Sequence, residues 1–145
     1  MRAYTVAATA IALGVNKKWV DNILSHHRIP GVLQKRQGIS RRVTPEALLR
    51  LELVGILTTT LDIPVLRALD LANRLINEQG KGIDFPDSPH VRFSANIQAI
   101  AAELDSRLEH ALEISPNPKR GRPGRVRQSG TPIDAPLQPP GKNAQ

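Results

Sequence analysis

Lys18, Asn22 and Ser25 fall at intervals of three to four residues, so on a helix they share one side, with Lys17 and Asp21 beside them and Arg28 just beyond. Lysine and asparagine at the start of a helix donate hydrogen bonds to phosphate oxygens and to acceptors on base edges, which is the chemistry of duplex reading. Farther on, Lys35 and Arg36 precede Gln37-Gly38-Ile39-Ser40, and Arg41 and Arg42 follow it. A bend at Gly38 brings the two basic pairs together, and a charged loop suits phosphate contact, which needs charge and reach more than rigid placement. The acid–base cluster of Asp84, Asp87 and His90 sits around Pro86 and Pro89 and reads as turn chemistry rather than catalysis. No Ser/His/Asp order, phosphate loop or paired-carboxylate site is present. Cysteine is absent, and His26, His27, His90 and His110 are too scattered for metal-ligand spacing. These residues describe a non-enzyme with no catalytic residue, no metal and no cofactor.

Charge is distributed in three blocks. The 145 residues carry a net +7. Residues 1–43 hold eight basic side chains against Asp21, a net +7; residues 44–114 hold six against eleven acidic, a net −5; residues 115–145 hold six against Asp134, a net +5. Two basic ends flank an acidic middle, so polyanion contact is expected at the ends and a different role between them. Apolar residues are 40% of the chain, enough for a modest core with only four aromatic side chains. No apolar run approaches the roughly 20 residues that span a bilayer, and Val6 to Val15 reads as a helix rather than a signal peptide. The expectation is a cytoplasmic protein without membrane contact, nucleoid-associated if bacterial.

The elements that must hold these groups are punctuated clearly. Thr5 caps a short helix to Leu13 that Gly14 stops, and Asn16 caps a second to His26. This pair, with Val15 and Val20 facing inward, is a helix-turn-helix pattern. Ile29-Pro30-Gly31 breaks the chain, and Val32 to Val43 forms a turn or hairpin. Thr44-Pro45 starts a third helix, to Thr59, with Ala47, Leu48, Leu51, Val54 and Leu57 on its apolar side. Asp62 is expected to cap a fourth, ending at Gly80, with Val65, Ala68, Leu69, Ala72, Leu75 and Ile76 inward. Ile83–Phe85 and Val91–Phe93 form a small hairpin. Ser94 caps a last helix carrying Ile97, Ile100, Ala101, Leu104, Leu108 and Leu112. Trp19 is expected to pack into the core rather than stack on a base. From Ser115 onward, seven Pro and four Gly among 31 residues leave too little apolar surface to order the chain, so a disordered tail is expected.

Tyr4-Thr5-Val6, Leu13-Gly14-Val15, Ile29-Pro30-Gly31, Arg41-Arg42-Val43-Thr44 and Leu48 together resemble the MerR-type winged helix-turn-helix, over about residues 4–78. The resemblance implies a recognition helix after the Gly turn, a hairpin wing, and two further helices beneath. Thr9 and Ala12 stand where that family usually has Leu, Ile11 where it has a charged residue, and Val43 where it has an aromatic. The Cys-rich effector loop and long coiled-coil helix of metal-sensing members are missing. In the tail, Lys119-Arg120-Gly121-Arg122-Pro123-Gly124-Arg125 resembles the AT-hook, whose Arg-Gly-Arg-Pro core lies in the minor groove of A·T-rich DNA.

The expected fold is mainly α: a winged helix-turn-helix at 1–80, a hairpin plus helix at 81–114, and the basic tail at 115–145. The expected function is sequence-dependent binding of double-stranded DNA by a small regulator or repressor. Its contacts are Lys17, Lys18, Asn22, Ser25, Arg28, Lys35, Arg36, Arg41, Arg42, Arg120, Arg122 and Arg125. The last helix is expected to make a homodimer through Ile97, Ile100, Leu104 and Leu108, with packing onto its own chain as the alternative. The competing function is an antitoxin-like or other interaction module whose acidic residues 44–114 bind a protein partner.

Overall fold

The computed structural model of the chain describes residues 2–85 and 87–114. The Arg-Gly-Arg-Pro motif, with Arg120, Arg122 and Arg125, and the expected disordered tail lie outside the described residues. What is described is mainly helical, with two small antiparallel sheets. None of its helices is long and apolar enough to cross a membrane.

Local capping sets the first half. The Thr5 hydroxyl accepts from the Ala8 amide at 3.1 Å and starts α1 (Val6–Leu13), which ends at Gly14 in the left-handed conformation. Val15 N–H returns to the Ala10 carbonyl at 3.0 Å, and Asn16 Oδ1 then accepts from Lys18 N–H at 2.9 Å to start α2 (Lys17–His26). β2 (Val32–Leu33) and β3 (Arg42–Val43) are the two arms of the expected hairpin. Sequence reading missed β1 (Tyr4–Thr5), which pairs Tyr4 with Val43 and makes β3 the central strand of the order β1-β3-β2. Two residues carry no period, so only the long-range partner reveals that strand.

α3 (Pro45–Thr60) starts as expected, with the Thr44 hydroxyl accepting from Ala47 N–H and Pro45 at the first position. Its Leu48, Leu51, Leu53 and Leu57 are fully buried with Leu71 and Leu75 of α4 (Val65–Asn77), Val20 and Val43. The expected cap at Asp62 is a correction. Asp62 takes φ 52, and α4 begins after Pro64 with no side-chain cap. A residue before proline is driven to extended backbone, so Ile63 cannot enter a helix and the start moves past the ring. Arg50, 6% exposed, locks α3 to α4: its Nε donates to Asn73 Oδ1 at 2.8 Å and its Nη1 to the Glu46 carboxylate at 2.8 Å.

β4 (Ile83–Phe85) and β5 (Ser88–Phe93) form the second hairpin, β5 starting earlier than its apolar pattern indicates. α5 (Ile97–Ile114) follows, capped by Asn96, whose Oδ1 accepts from Ala99 N–H at 3.0 Å, and not by Ser94. The reason is tertiary: Ala95 N–H donates to the Gly80 carbonyl at 3.3 Å, which holds the segment before Asn96 out of the helix.

The second correction concerns the dimerisation stripe. Leu104 and Leu108 are each 2% exposed within a single chain, and Ile97 and Ile100 are half-buried against the same core. α5 packs on α1 and α3. α1 allows this because Ala8, Thr9, Ala10 and Ala12 are small and all buried, so a second helix can approach its backbone closely. Arg107 adds a polar tie, its Nη2 donating to Glu52 Oε1 of α3 at 2.6 Å. The stripe is therefore covered by its own chain, and Leu112, 54% exposed, falls outside it. Thr9 carries a buried hydroxyl with no hydrogen-bond partner among the described residues. Such a group costs about 1–3 kcal/mol.

Candidate nucleic-acid interface

The outer face of α2 is built by subtraction. Val20, Ile23 and Leu24 are buried, and that leaves Lys17, Lys18, Asn22 and Ser25 exposed on the opposite side. Arg28 is exposed just past the helix, where His27 N–H closes the last turn on the Ile23 carbonyl at 2.9 Å. Lys17 lies 3.5 Å from Asp21, an exposed pair one turn apart that contributes only tenths of a kcal/mol, of order ~0.3–0.5. The side chains of Lys18 and Asn22 make no hydrogen bond to other described residues; the His26 ring meets only the backbone carbonyl of Asn22, at 2.8 Å.

The β2–β3 loop lies beside this face. Arg41 Nη1 donates to Ser25 Oγ at 3.0 Å, which fixes the end of the loop to the third turn of α2. Ser25 Oγ in turn donates to the Asp21 carbonyl at 2.7 Å. Lys35, Arg36 and Arg42 are exposed, Arg42 in register with Thr5 on one side and Leu33 on the other. Between loop and helices runs an open cleft of about 490 Å³. Its walls are Gly38 to Arg41, Gln34, Lys17 and Asp21, and its third side is the start of α1 at Thr5, Val6 and Ala7. A helix start carries partial positive charge and unpaired amides, so this side adds to the attraction for anions.

The structure thus brings Lys17 and Arg41 together around one cleft, ties Ser25 to Arg41, and leaves Lys18, Asn22, Arg28, Lys35, Arg36 and Arg42 exposed on the elements that frame it. Ser25 and Arg41, expected as DNA contacts, spend hydrogen bonds on each other. Sequence reading missed Gln34 and the α1 start. Gln34 is uncharged and sits in a loop, so only its partners mark it: its Oε1 accepts from Arg41 Nε at 3.3 Å. Trp19 is half-buried and packed against the core, lining a small cleft with Leu13, Val15, Gly55 and Ile56 away from the polar face. That agrees with core packing rather than base stacking.

Of the Asp84, Asp87 and His90 group, both aspartates are engaged in ion pairs and His90 is exposed. Asp87 pairs with Arg67 of α4, whose guanidinium also lies 5.5 Å from the Phe85 ring centroid, and Asp84 faces Arg92 across the hairpin at 3.9 Å. Among the described residues no group of three His, Asp or Glu side chains is placed to hold a metal ion. No family model, no curated protein and no solved structure matches the chain.

Proposed function

We propose that the face formed by α2 and the β2–β3 loop binds double-stranded DNA, and that residues 4–78 act as a winged helix-turn-helix of the MerR-like kind. One observation carries the reading: the Arg41–Ser25 bond holds a loop bearing Lys35, Arg36 and Arg42 beside the exposed Lys17, Lys18 and Asn22 of a capped helix. α2 supplies the groove-reading element, since Asn22 offers both a donor and an acceptor to a base edge. The loop and the start of α1 supply phosphate contact on either side. The role is that of a small, non-enzymatic regulator or repressor acting by occupancy of its site. The cationic segment after Ser115, with its AT-hook-like motif, adds affinity by tethering.

Fluorescence anisotropy with a labelled duplex tests this. The triple variant Lys18→Ala, Asn22→Ala and Arg42→Ala removes side chains without core contacts, so folding is expected to be unchanged. Two lost phosphate contacts lower the slope of log K against log salt by about two units. Affinity is expected to fall by about 100-fold, at roughly 1 kcal/mol for each of the three contacts. Unchanged affinity in this variant, or preferential binding of RNA over duplex by the unmodified chain, would remove the α2–loop face from the function.

A further inference from the structure

We propose that Arg41 is a positioning residue that sets the angle of the β2–β3 loop against α2, and is not itself a phosphate contact; the inference rests on the duplex-binding reading above. Its guanidinium is directed inward along the protein surface. Nη1 donates to Ser25 Oγ at 3.0 Å and Nε donates to Gln34 Oε1 at 3.3 Å. The relay continues at both ends. Ser25 Oγ donates to the Asp21 carbonyl at 2.7 Å, and Gln34 Nε2 donates to the Ile39 carbonyl at 3.4 Å, next to the Gly38 bend. One chain of hydrogen bonds thus runs from the middle of α2 to the tip of the loop.

Little else can fix that angle. β2 and β3 are two residues each, and their paired residues are Val32, Leu33, Arg42 and Val43, below the loop. Residues 33–40 are all exposed, so no buried side chain anchors the tip. Arg41 is half-buried where its neighbour Arg42 is exposed, so the two adjacent arginines divide the work. Arg41 orients the loop and Arg42 faces outward to the phosphate. The planar fork matters here: two donors at fixed spacing reach Ser25 and Gln34 at once, which an ammonium on a flexible stem cannot reproduce.

The test uses the full chain and a mixed-sequence 20-base-pair duplex over a salt series. Arg41→Ala and Arg41→Lys are expected to weaken binding alike, by about tenfold, with the salt slope within about half a unit of the unmodified protein. Ser25→Ala should reproduce that loss, and adding it to Arg41→Ala should cost nothing more, since both break one relay. By contrast Arg42→Ala should lower the slope by about one unit, and Arg42→Lys should restore it. Full rescue by Arg41→Lys, or a slope lowered by one unit in Arg41→Ala, would overturn the proposal and make Arg41 a phosphate contact. A readout independent of DNA separates this from the parent reading. The ¹⁵N heteronuclear NOE of residues 34–40 should fall in Arg41→Ala, whether or not any duplex binds. An unchanged NOE overturns the positioning role, and absence of duplex binding by the unmodified chain with a lowered NOE overturns only the function it was assigned to.

Discussion

Replacing Leu104 and Leu108 together by Glu is expected to unfold the chain rather than to release a folded monomer. Both side chains are 2% exposed in the contact of α5 with α1 and α3. Losing a buried leucine costs about 2–5 kcal/mol, and burying an unpaired carboxylate adds several more unless it protonates. The sum for two sites matches or exceeds the ~5–15 kcal/mol that holds a typical domain together. Circular dichroism should therefore show no cooperative thermal transition for the double variant. Leu112→Glu is the control on the same helix. It is 54% exposed, so its stability should stay within about 0.5 kcal/mol of the unmodified chain. A double variant that melts cooperatively near the original temperature would show that α5 does not cover α1.

The second large effect is expected at Gly31, where backbone and packing both forbid a side chain. Gly31 has φ +89, and a β-carbon there would run into the Thr44 hydroxyl and press on Ala47 at 3.2 Å. That hydroxyl is the cap of α3, and the Thr44 amide donates to the Gly31 carbonyl at 3.1 Å. Gly31→Ala thus combines backbone strain of about 1–3 kcal/mol with loss of a cap worth about 1 kcal/mol. A fall in melting temperature of about 15 °C follows for a folded region of this size. Gly38→Ala separates the two contributions. Gly38 has the similar φ of +90 but open space around it, so it should lose only the strain. Equal losses at the two positions would mean that the collision with Thr44 is relieved at no cost.

What could be read from the sequence follows the range of each interaction. Thr5, Asn16 and Thr44 cap helices through atoms two or three residues away, and all three were legible as caps. The apolar side of α3 was legible for the same reason, because its period lies within the helix. Asp62 was misread because a local rule, that an acid starts a helix, was outweighed by a nearer one, the backbone restriction imposed by Pro64. β1 and the docking of α5 depend on partners far along the chain. A run of small residues in α1 records that something packs closely on it, but not which helix does. The candidate site divides likewise. The exposed cations on α2 and the loop are visible as residue types, whereas the Ser25–Arg41–Gln34 relay exists only once the loop is folded against the helix.

The central claim is that α2 and the β2–β3 loop form one duplex-binding face, and an NMR titration of the full chain with a short DNA duplex tests it most directly. The predicted result is that amide shift changes concentrate at residues 17–28, at 34–42 and at the first turn of α1, with the acidic outer side of α5 unmoved. Shift changes confined to α4 and α5, with residues 17–28 and 34–42 undisturbed, would contradict it.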